Sequence, residues 1–235
     1  MPASRTVFIA GATGYMGNRF AAELLRRGHI VSGLARRGSE SRLPGACRPV
    51  IGDALDRSTF SKVVGDVDSY VQLVGVAHPS PAKAQQFRDI DEKSFDESLA
   101  VAVANRVRHF IYVSVAHPAP AMHAYIEVRS RCEEKLRQSG LNATILRPWY
   151  VLGPGHCWPY TLRPLYWLAR QFQSTRDGAE RLGLVTLEQM VAALVLSVEN
   201  PASETRILGV PEIAALALMP SSRPERQVRS GGTRS

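Results

Sequence analysis

A tyrosine and an arginine one helical turn apart are the residues of this sequence best suited to acid–base chemistry. The stretch AYIEVRSRCEEKL has Val128, Cys132 and Leu136 spaced four apart, which predicts an amphipathic helix with one buried stripe. Tyr125 and Arg129 are also four apart, so they lie on one face of that helix. Because a neighbouring cation favours the phenolate, this pair could transfer a proton.

A glycine loop near the N-terminus is the strongest ligand-binding motif. The segment GATGYMG places Gly11, Gly14 and Gly17 three apart, between the apolar run TVFIA and an amphipathic stretch that contains Phe20 and Leu24. The turn needs a residue without Cβ, a diphosphate needs close approach to the backbone, and the helix must pack tightly on its strand. This strand–turn–helix context predicts dinucleotide binding, and a glycine-rich turn without a ligand is the alternative.

The end of the second predicted strand indicates which dinucleotide binds. An NAD site usually carries an acid about 20 residues past the loop, whereas Arg36 and Arg37 stand here and no acid occurs until Glu40. Guanidinium groups bind phosphate through paired hydrogen bonds, so the arginines predict preference for NADP(H) over NAD(H), through its 2′-phosphate. Plain surface cations are the alternative. Asp53, after the third strand, either accepts a hydrogen bond from the adenine amino group or caps the next helix.

Strand and helix signals alternate along the chain and predict an α/β fold. The strand candidates are 6–11, 29–35, 48–54, 67–77, 109–115, 142–153 and 206–213. Near-continuous apolar strands joined by helices predict a doubly wound parallel sheet, Rossmann-like, with a small C-terminal appendage on the substrate side. We expect a dinucleotide-binding core over 1–155, a small cap over 156–215 that completes the same domain, and a disordered basic tail over 216–235.

Composition argues against several other classes of protein. No run of 18 apolar residues occurs, and no charged segment precedes a long apolar one, so we expect neither a membrane span nor a signal peptide. Three cysteines without a CxxC pair predict reduced thiols in a cytoplasmic protein, and six histidines without ligand spacing predict no metal site. The basic residues that give the net charge of +8 are not interleaved with aromatic residues, so we expect no nucleic-acid groove.

Aromatic residues cluster just past the sixth predicted strand. Trp149, Tyr150, His156, Trp158 and Tyr160 follow one another closely there. Ligands bind at this edge of open α/β sheets, so the cluster could form an aromatic wall against a flat apolar substrate, with His156 carrying protons near neutral pH. Packing of these side chains over the end of the sheet is the alternative.

The sequence resembles the short-chain dehydrogenase/reductase superfamily, specifically its atypical branch of NAD(P)-binding, nitrogen-metabolite-repressor-like and epimerase/dehydratase-like proteins. The resemblance covers residues 6 to about 213 and rests on GATGYMG, IGDA, YVSVA, the Tyr125–Arg129 pair and LNATILRPWYVLGPG. It implies that the diphosphate would be held by Gly11, Thr13, Gly14, Tyr15, Met16 and Gly17. It implies that the rest of the cofactor and the substrate would meet Arg36, Arg37, Asp53, Ala54, Val74, Gly75, Val76, Pro148, Trp149 and Tyr150.

The same resemblance implies catalytic roles for three residues. Tyr125 would be the general acid/base, and Ser114, after the fifth strand, would polarise the substrate carbonyl. Arg129 stands where the family has a lysine that binds the nicotinamide ribose and lowers the pKa of the phenol. Arginine keeps the charge but is planar and bulkier, so this exchange is not conservative at a shaped site. A half-buried structural tyrosine and a strand-end hydroxyl bonded to backbone are the alternatives.

Two functions follow as hypotheses. The first is an NADP(H)-dependent oxidoreductase acting on a small carbonyl/alcohol substrate, with Tyr125 as proton donor. The second is a non-catalytic NADP(H)-binding redox sensor or assembly protein, which the arginine at position 129 favours. The retained tyrosine and the aromatic cluster favour the enzyme. The sequence leaves the substrate, the reaction direction, the oligomeric state and any protein partner open.

Overall fold

Seven parallel strands form the central sheet of the computed structural model, which describes residues 3–119, 121–152 and 182–216. The strands are β1 (Thr6–Ala10), β2 (Ile30–Ala35), β3 (Arg48–Ile51), β4 (Ser69–Gln72), β5 (His109–Val113), β6 (Ala143–Leu146) and, after two short strands, β9 (Thr205–Leu208). Their order is β3-β2-β1-β4-β5-β6-β9, and every neighbouring pair is parallel. The short strands β7 (Tyr150–Leu152) and β8 (Leu184–Thr186) pair with each other in parallel.

Helices cover both faces of this sheet. They are α1 (Tyr15–Arg26), α2 (Ser61–Val64), α3 (Ala84–Gln86), α4 (Lys93–Ala104), α5 (His123–Gln138), α6 (Leu187–Glu199) and α7 (Val210–Leu216). A π-helical segment, Phe87–Glu92, joins α3 to α4, and short 3₁₀ turns lie at Glu40–Arg42, Arg57–Thr59 and Pro81–Lys83. The doubly wound parallel α/β fold predicted from the sequence is confirmed.

Two apolar cores lie on opposite faces of the sheet. Successive side chains of a strand point to opposite faces, so Val7 and Ile9 pack in the core with α1 and α6, whereas Phe8 packs in the core with α4 and α5. The second core also holds Tyr70 and Phe110, whose rings stack 5.3 Å apart. Each such buried side chain contributes roughly 1.5–3 kcal/mol. Covering both faces in this way explains why the strands read as apolar runs.

Two local predictions about helices are confirmed. Val128, Cys132 and Leu136 form the buried stripe of α5. At the start of α6, the Thr186 hydroxyl accepts a hydrogen bond from the Gln189 N–H at 3.2 Å. The Gln189 side chain accepts one from the Thr186 N–H at 2.7 Å, which completes the predicted capping box.

Strands four and six are shorter than the sequence predicts. β4 ends at Gln72 because β1 turns into the glycine loop after Ala10, and the Leu73 N–H makes the last ladder bond, to the Ala10 carbonyl at 2.9 Å. Val74, Gly75 and Val76 therefore follow the strand as a loop, not as its end. β6 ends at Leu146 because a proline, Pro148, cannot donate to a ladder, and the chain resumes extended structure only as β7.

The predicted final strand, 206–213, is wrong in its second half. β9 ends at Leu208, and α7 begins at Val210 with Pro211 in its first turn, where a helix needs no donated N–H. The Glu212 carboxylate accepts a hydrogen bond from the Gly209 N–H at 2.9 Å and closes this turn. β9 completes the main sheet, and residues 156–181 of the predicted cap and 217–235 of the predicted tail lie outside the described residues.

The described ranges contain two free cysteines, Cys47 and Cys132, and both are buried. Burial raises the pKa of Cys47 to about 11 and that of Cys132 to about 12, so neither is a thiolate at neutral pH. Within the same ranges, no helix is long and apolar enough to cross a bilayer. No group of three or more histidine, cysteine or acidic side chains there could hold a metal ion.

The buried histidine of β5 predicts a pH-dependent stability. His109 Nε2 accepts from the Ala202 N–H at 3.4 Å and lies 2.9 Å from the Thr144 hydroxyl, and burial lowers the pKa of His109 from 6.5 to about 4. As the pH falls, the unfolded chain therefore takes up a proton first. We expect the free energy of unfolding to decline by on the order of 3 kcal/mol as the pH falls from 6.5, the pKa of His109 in the unfolded chain, to about 4, its pKa in the folded protein. Above pH 6.5 this contribution to stability is fully present.

Urea unfolding at a series of pH values measures this decline. His109→Gln cannot be protonated, so its stability should change much less across the same window, whereas the exposed His123→Gln should behave like the wild type. Equal slopes for wild type and His109→Gln would contradict the assignment.

Candidate functional site

A cavity of about 510 Å³ opens at the carboxyl edge of the sheet, where the strand order reverses. β1 pairs with β2 on one side and with β4 on the other. The loops after β1 and β4 must therefore diverge, and ligands of open α/β sheets bind in the crevice that this leaves. The position of the cavity is thus the one that the fold provides for a ligand.

The cavity wall comes from the loops that follow the first four strands. It brings together nine of the predicted cofactor residues: Gly11, Thr13, Gly14, Arg36, Asp53, Ala54, Val74, Gly75 and Val76. The other predicted cofactor residues, which do not form this wall, are Tyr15, Met16, Gly17, Arg37 and Pro148. Residues that are distant in sequence therefore meet at one cavity, and their contacts with a cofactor stay a prediction.

The glycine loop has the geometry that a diphosphate requires. Gly11 has a φ of 91°, and a Cβ there would lie 2.9 Å from the Leu73 carbonyl carbon. The Gly14 N–H donates to the Gly11 carbonyl at 3.0 Å and closes the turn. A Cβ on Gly17 would overlap the Gly11 oxygen, so only glycine lets α1 start this close to the turn.

The N-terminus of α1 completes a place for an anion. Gly14 is its N-cap without a side-chain hydrogen bond, and the first turn contains no acid. The positive end of the helix dipole therefore meets the cavity wall at Gly14 with no competing carboxylate from its own first turn. These residues fit a negatively charged diphosphate.

The part of the cavity wall that follows β2 carries one of the two predicted arginines. Arg36 forms part of the wall, whereas its neighbour Arg37 does not. Asp53 also reaches the wall, and its carboxylate accepts a hydrogen bond from the Leu55 N–H at 3.0 Å. This contact closes a local turn and is not the helix cap that was the alternative to the adenine role, because Asp56 is the N-cap of the next helical turn and accepts from the Ser58 N–H at 3.0 Å. The adenine contact of Asp53 stays a prediction.

Arg129 is buried and engaged inside the protein. Its Nη2 donates to the carboxylate of Asp91, in the π-helical segment, and its Nη1 donates to the Val113 carbonyl at 2.9 Å and to the Tyr112 hydroxyl at 3.2 Å. The guanidinium also lies 5.0 Å from the centre of the Tyr125 ring. Tyr125 and Arg129 are therefore neighbours, as the helical spacing predicts, but the hydrogen bonds of the cation go to other groups.

Tyr125 lies half-buried at the start of α5. Its ring contacts Phe87 with the centroids 4.9 Å apart. Burial raises the pKa of the phenol, and the charge of Arg129 opposes this without reversing it. The phenol therefore stays protonated at neutral pH, which suits a proton donor better than a base.

Ser114 is buried at the end of β5 and donates to the carboxylate of Glu133 at 2.6 Å. The same carboxylate accepts from Arg147 Nε and Arg137 Nη2, each at 3.0 Å. Burial would raise the pKa of Glu133, but the hydrogen bonds from Arg147 and Ser114 outweigh it and hold the pKa below its usual value. Ser114 therefore bonds a side chain and not the backbone, and its catalytic role stays a prediction.

The predicted substrate side is described only in part. The Pro148 carbonyl accepts a hydrogen bond from the Ala116 N–H at 2.9 Å, and the rings of Trp149 and Tyr150 meet edge to face at 5.6 Å. The other three residues of the predicted aromatic cluster, His156, Trp158 and Tyr160, lie outside the described residues.

Several residues of the site carry no motif in the sequence. Lys83, Gln86 and Ile90 line the cavity from the segment before α4, and Lys83 Nζ donates to the Ala77 carbonyl at 2.7 Å. Asp91 lies behind that wall and pairs with Arg129. One signal could have indicated Asp91: Arg129 directly follows Val128 of the predicted buried stripe, and an arginine that is buried needs a counter-charge.

A protein-family model described as NAD(P)H-binding matches residues 11–154 of the chain. Among curated relatives, a 3-diazoavenalumate denitrifying reductase from Streptomyces sp is 28% identical, over 84% of this chain and 73% of that protein. A chloroplastic divinyl chlorophyllide a 8-vinyl-reductase from Oryza sativa subsp. indica is also 28% identical, over 63% of this chain. The chain spans only 40% of the length of that plant reductase.

Solved structures show the same fold at low sequence identity. A short-chain dehydrogenase/reductase superfamily protein from Agrobacterium tumefaciens with bound NAD has a TM-score of 0.64 at 19% identity, over 89% of this chain and 82% of that one. The Bordetella bronchiseptica enzyme WbmH in complex with NAD+ has a TM-score of 0.66 at 22% identity, over 94% and 85%. At such identities the similarity shows the fold alone.

Because α1 starts so close to the glycine loop, one methyl group added at Gly17 should lower the stability of the protein. In Gly17→Ala the new Cβ would overlap the Gly11 carbonyl oxygen, so backbone must shift. We expect the free energy of unfolding to fall by about 2 kcal/mol or more, as for an overpacked site. Gly45→Ala is the matched control, because a Cβ there meets nothing within 4 Å. Urea unfolding checks both variants, and equal stabilities would contradict the loop geometry.

Proposed function

Since the chain belongs to the NAD(P)H-binding family, we propose that it is an NADP(H)-dependent oxidoreductase of the atypical short-chain dehydrogenase/reductase type. The observation that carries the proposal is the cavity at the reversal of strand order, which joins the glycine loop to Arg36. The glycine loop supplies backbone N–H groups for a diphosphate, and Arg36 supplies a cation for a further phosphate.

Preference for NADP(H) over NAD(H) rests on the residues that follow β2. Arg36 and Arg37 come directly after Ala35, and no acid occurs there before Glu40. An NAD site would use an acid to accept hydrogen bonds from the ribose hydroxyls, whereas a guanidinium suits the 2′-phosphate. The neighbours that hold NAD differ from this chain at most positions, so their ligand does not decide its preference.

The proposed chemistry divides between cofactor and protein. When bound, the cofactor supplies or removes a hydride. Tyr125 donates the accompanying proton to the oxygen of a small carbonyl substrate, and its raised pKa keeps that proton in place at neutral pH. The charge of Arg129, 5.0 Å from the ring centre, favours the phenolate that is left.

The direction of reaction is proposed to be reduction. A phenol that is protonated at neutral pH is ready to give a proton, which a carbonyl reduction needs. Both curated relatives named above are reductases, although at 28% identity their substrates need not be shared. A cytoplasmic location is part of the same proposal, and the buried, reduced thiols of Cys47 and Cys132 favour it.

One observation favours a second candidate, a non-catalytic NADP(H)-binding redox sensor or assembly protein. Arg129 and Ser114 are each bonded to an internal carboxylate, Asp91 and Glu133 respectively. Arg129 and Ser114 are the two residues predicted to act with Tyr125, and a site that holds them in this way would keep the cofactor fold without turnover. This candidate predicts that the cofactor binds and that no carbonyl substrate is reduced.

Arg36 and Arg37 offer a matched test of cofactor preference. Arg36→Ala should weaken NADPH binding by about 10- to 100-fold, the loss of charge-assisted hydrogen bonds to a phosphate, and leave NADH binding unchanged. Arg37→Ala removes the same charge from the adjacent residue, outside the cavity wall, and should change NADPH affinity by less than about three-fold. Fluorescence titration with both cofactors measures this, and equal losses in the two variants would contradict the role of Arg36.

Tyr125→Phe tests the proton donor. We expect reduction of carbonyl substrates, screened with NADPH over small aldehydes, ketones and quinones, to fall by roughly 10²–10⁴-fold, the usual contribution of a general acid. NADPH affinity should stay within about two-fold of the wild type, because the change removes one hydroxyl. Unchanged turnover would exclude Tyr125 as the donor. Cofactor binding without wild-type turnover would favour the second candidate.

A further inference from the structure

The π-helical segment Phe87–Glu92 contacts both the proposed cofactor cavity and Tyr125, the proposed proton donor. Phe87 packs on the Tyr125 ring, Ile90 lines the cavity, and the buried Asp91 bonds the Val76 N–H behind the cavity wall. π-helical turns are rare and occur frequently at functional sites, because the wider turn redirects side chains that an α-helix would aim elsewhere. This segment is therefore a candidate for a functional role at the site.

The Asp91 carboxylate holds the loop after β4. One oxygen accepts from Arg129, and the other accepts from the Val76 N–H at 2.9 Å. A Cβ on Gly75 would lie 2.5 Å from Arg129 Nη2 and 3.0 Å from the nearer Asp91 oxygen. The ion pair is thus in direct contact with the backbone of Gly75, which itself forms part of the cavity wall.

The guanidinium of Arg129 connects this wall to two further elements. It donates to the Val113 carbonyl and the Tyr112 hydroxyl at the end of β5, and it faces the Tyr125 ring on α5. A planar group with donors at fixed angles can hold several acceptors at once, whereas a lysine ammonium offers its protons from one point. Arginine at this position therefore suits a link between elements better than a ligand of the ribose.

From these contacts we infer that Asp91 and Arg129 are positioning residues, which fix the Gly75–Val76 wall of the cofactor cavity and the Tyr125 ring in one arrangement. The inference rests on the proposed function in one respect, that the cavity holds NADP(H). It differs from the role of the family lysine, because Arg129 acts through the protein backbone and Tyr125 instead of touching the cofactor.

Stability alone is a weak explanation for the pair. Desolvating two charges is costly, and replacing a buried ion pair by apolar residues of similar size is often neutral or stabilising. Here Asp91 and Arg129 are both buried, and Arg129 Nε has no hydrogen-bond partner. The buried ion pair is therefore unfavourable for stability, and its benefit is that it orients the groups around it.

The double variant Asp91→Leu/Arg129→Met separates orientation from stability. We expect it to unfold at the temperature of the wild type or above, and to bind NADPH at least ten-fold more weakly in calorimetric titration. In hydrogen exchange followed by NMR without ligand, the Val76 amide should be protected in the wild type and should exchange at least ten-fold faster in the variant. If the double variant does not fold, Asp91→Asn, which keeps an acceptor but loses the charge, should still weaken NADPH binding.

Two controls match the changes. Glu92→Gln/Arg131→Gln breaks an ion pair between the same two elements, but at the surface, and should leave NADPH affinity within about two-fold. Tyr70→Phe, on β4, removes the buried hydrogen bond that the Tyr70 hydroxyl donates to Ser98 on α4, away from the cavity, and should lower stability without weakening NADPH binding.

Each outcome decides the inference. NADPH affinity in the folded double variant equal to that of the wild type would overturn it, as would equal losses of affinity in Tyr70→Phe. If the wild type binds no nicotinamide dinucleotide, the proposed function fails by itself, and Val76 exchange still decides the positioning. An amide that stays protected in the double variant would then overturn the inference, and rapid exchange would support it.

Discussion

Parallel pairing of β1 with β2 on one side and β4 on the other is the constraint on which the rest of the structure depends. It brings the carboxyl ends of these strands to one edge, where the chain must leave β1 and β4 in different directions. In the turn after β1, Gly11 adopts a left-handed conformation, and Leu73 lies so close that a side chain at Gly11 would clash with it. The crevice, the start of α1 and the loop after β4 all follow from this pairing.

Helix α5 links the strand ends on the other side of that edge. Tyr125, Arg129 and Glu133 are spaced four apart on one face, and the two charged residues each meet a group from elsewhere in the chain. Arg129 binds Asp91 out of water, and the buried Glu133 binds Arg147, which is partly exposed. Breaking such a pair by removing one partner leaves an uncompensated buried charge, so these contacts fix the helix closely.

The local features of the fold could be predicted from the sequence. The glycine loop depends on neighbouring residues and the capping box at Thr186 depends on a spacing of three, so both are visible in the sequence itself. The buried stripe of α5 follows from helical periodicity in the same way. Loops after parallel strands must meet at one edge, so nine of the predicted cofactor residues lie together in the cavity wall, and their contacts with a cofactor stay a prediction.

Other features depend on partners that a local reading does not identify. The end of β4 is set by the turn of β1, some sixty residues away, and the end of β9 is set by a helix that begins at Val210. The spacing of Tyr125 and Arg129 predicts that they are neighbours, but not that Asp91 takes the hydrogen bond of the cation. Which group a buried charge pairs with is a long-range property of the fold.

The central claim is that this cavity holds NADP(H), and calorimetric titration of the unmodified protein with NADPH, NADP+, NADH and NAD+ tests it most directly. We predict that NADPH binds at least ten-fold more tightly than NADH, and NADP+ than NAD+, since only NADPH and NADP+ offer a 2′-phosphate to Arg36. Equal affinities for NADPH and NADH, and for NADP+ and NAD+, would contradict the assignment of Arg36, and binding of none of the four would contradict the cofactor site itself.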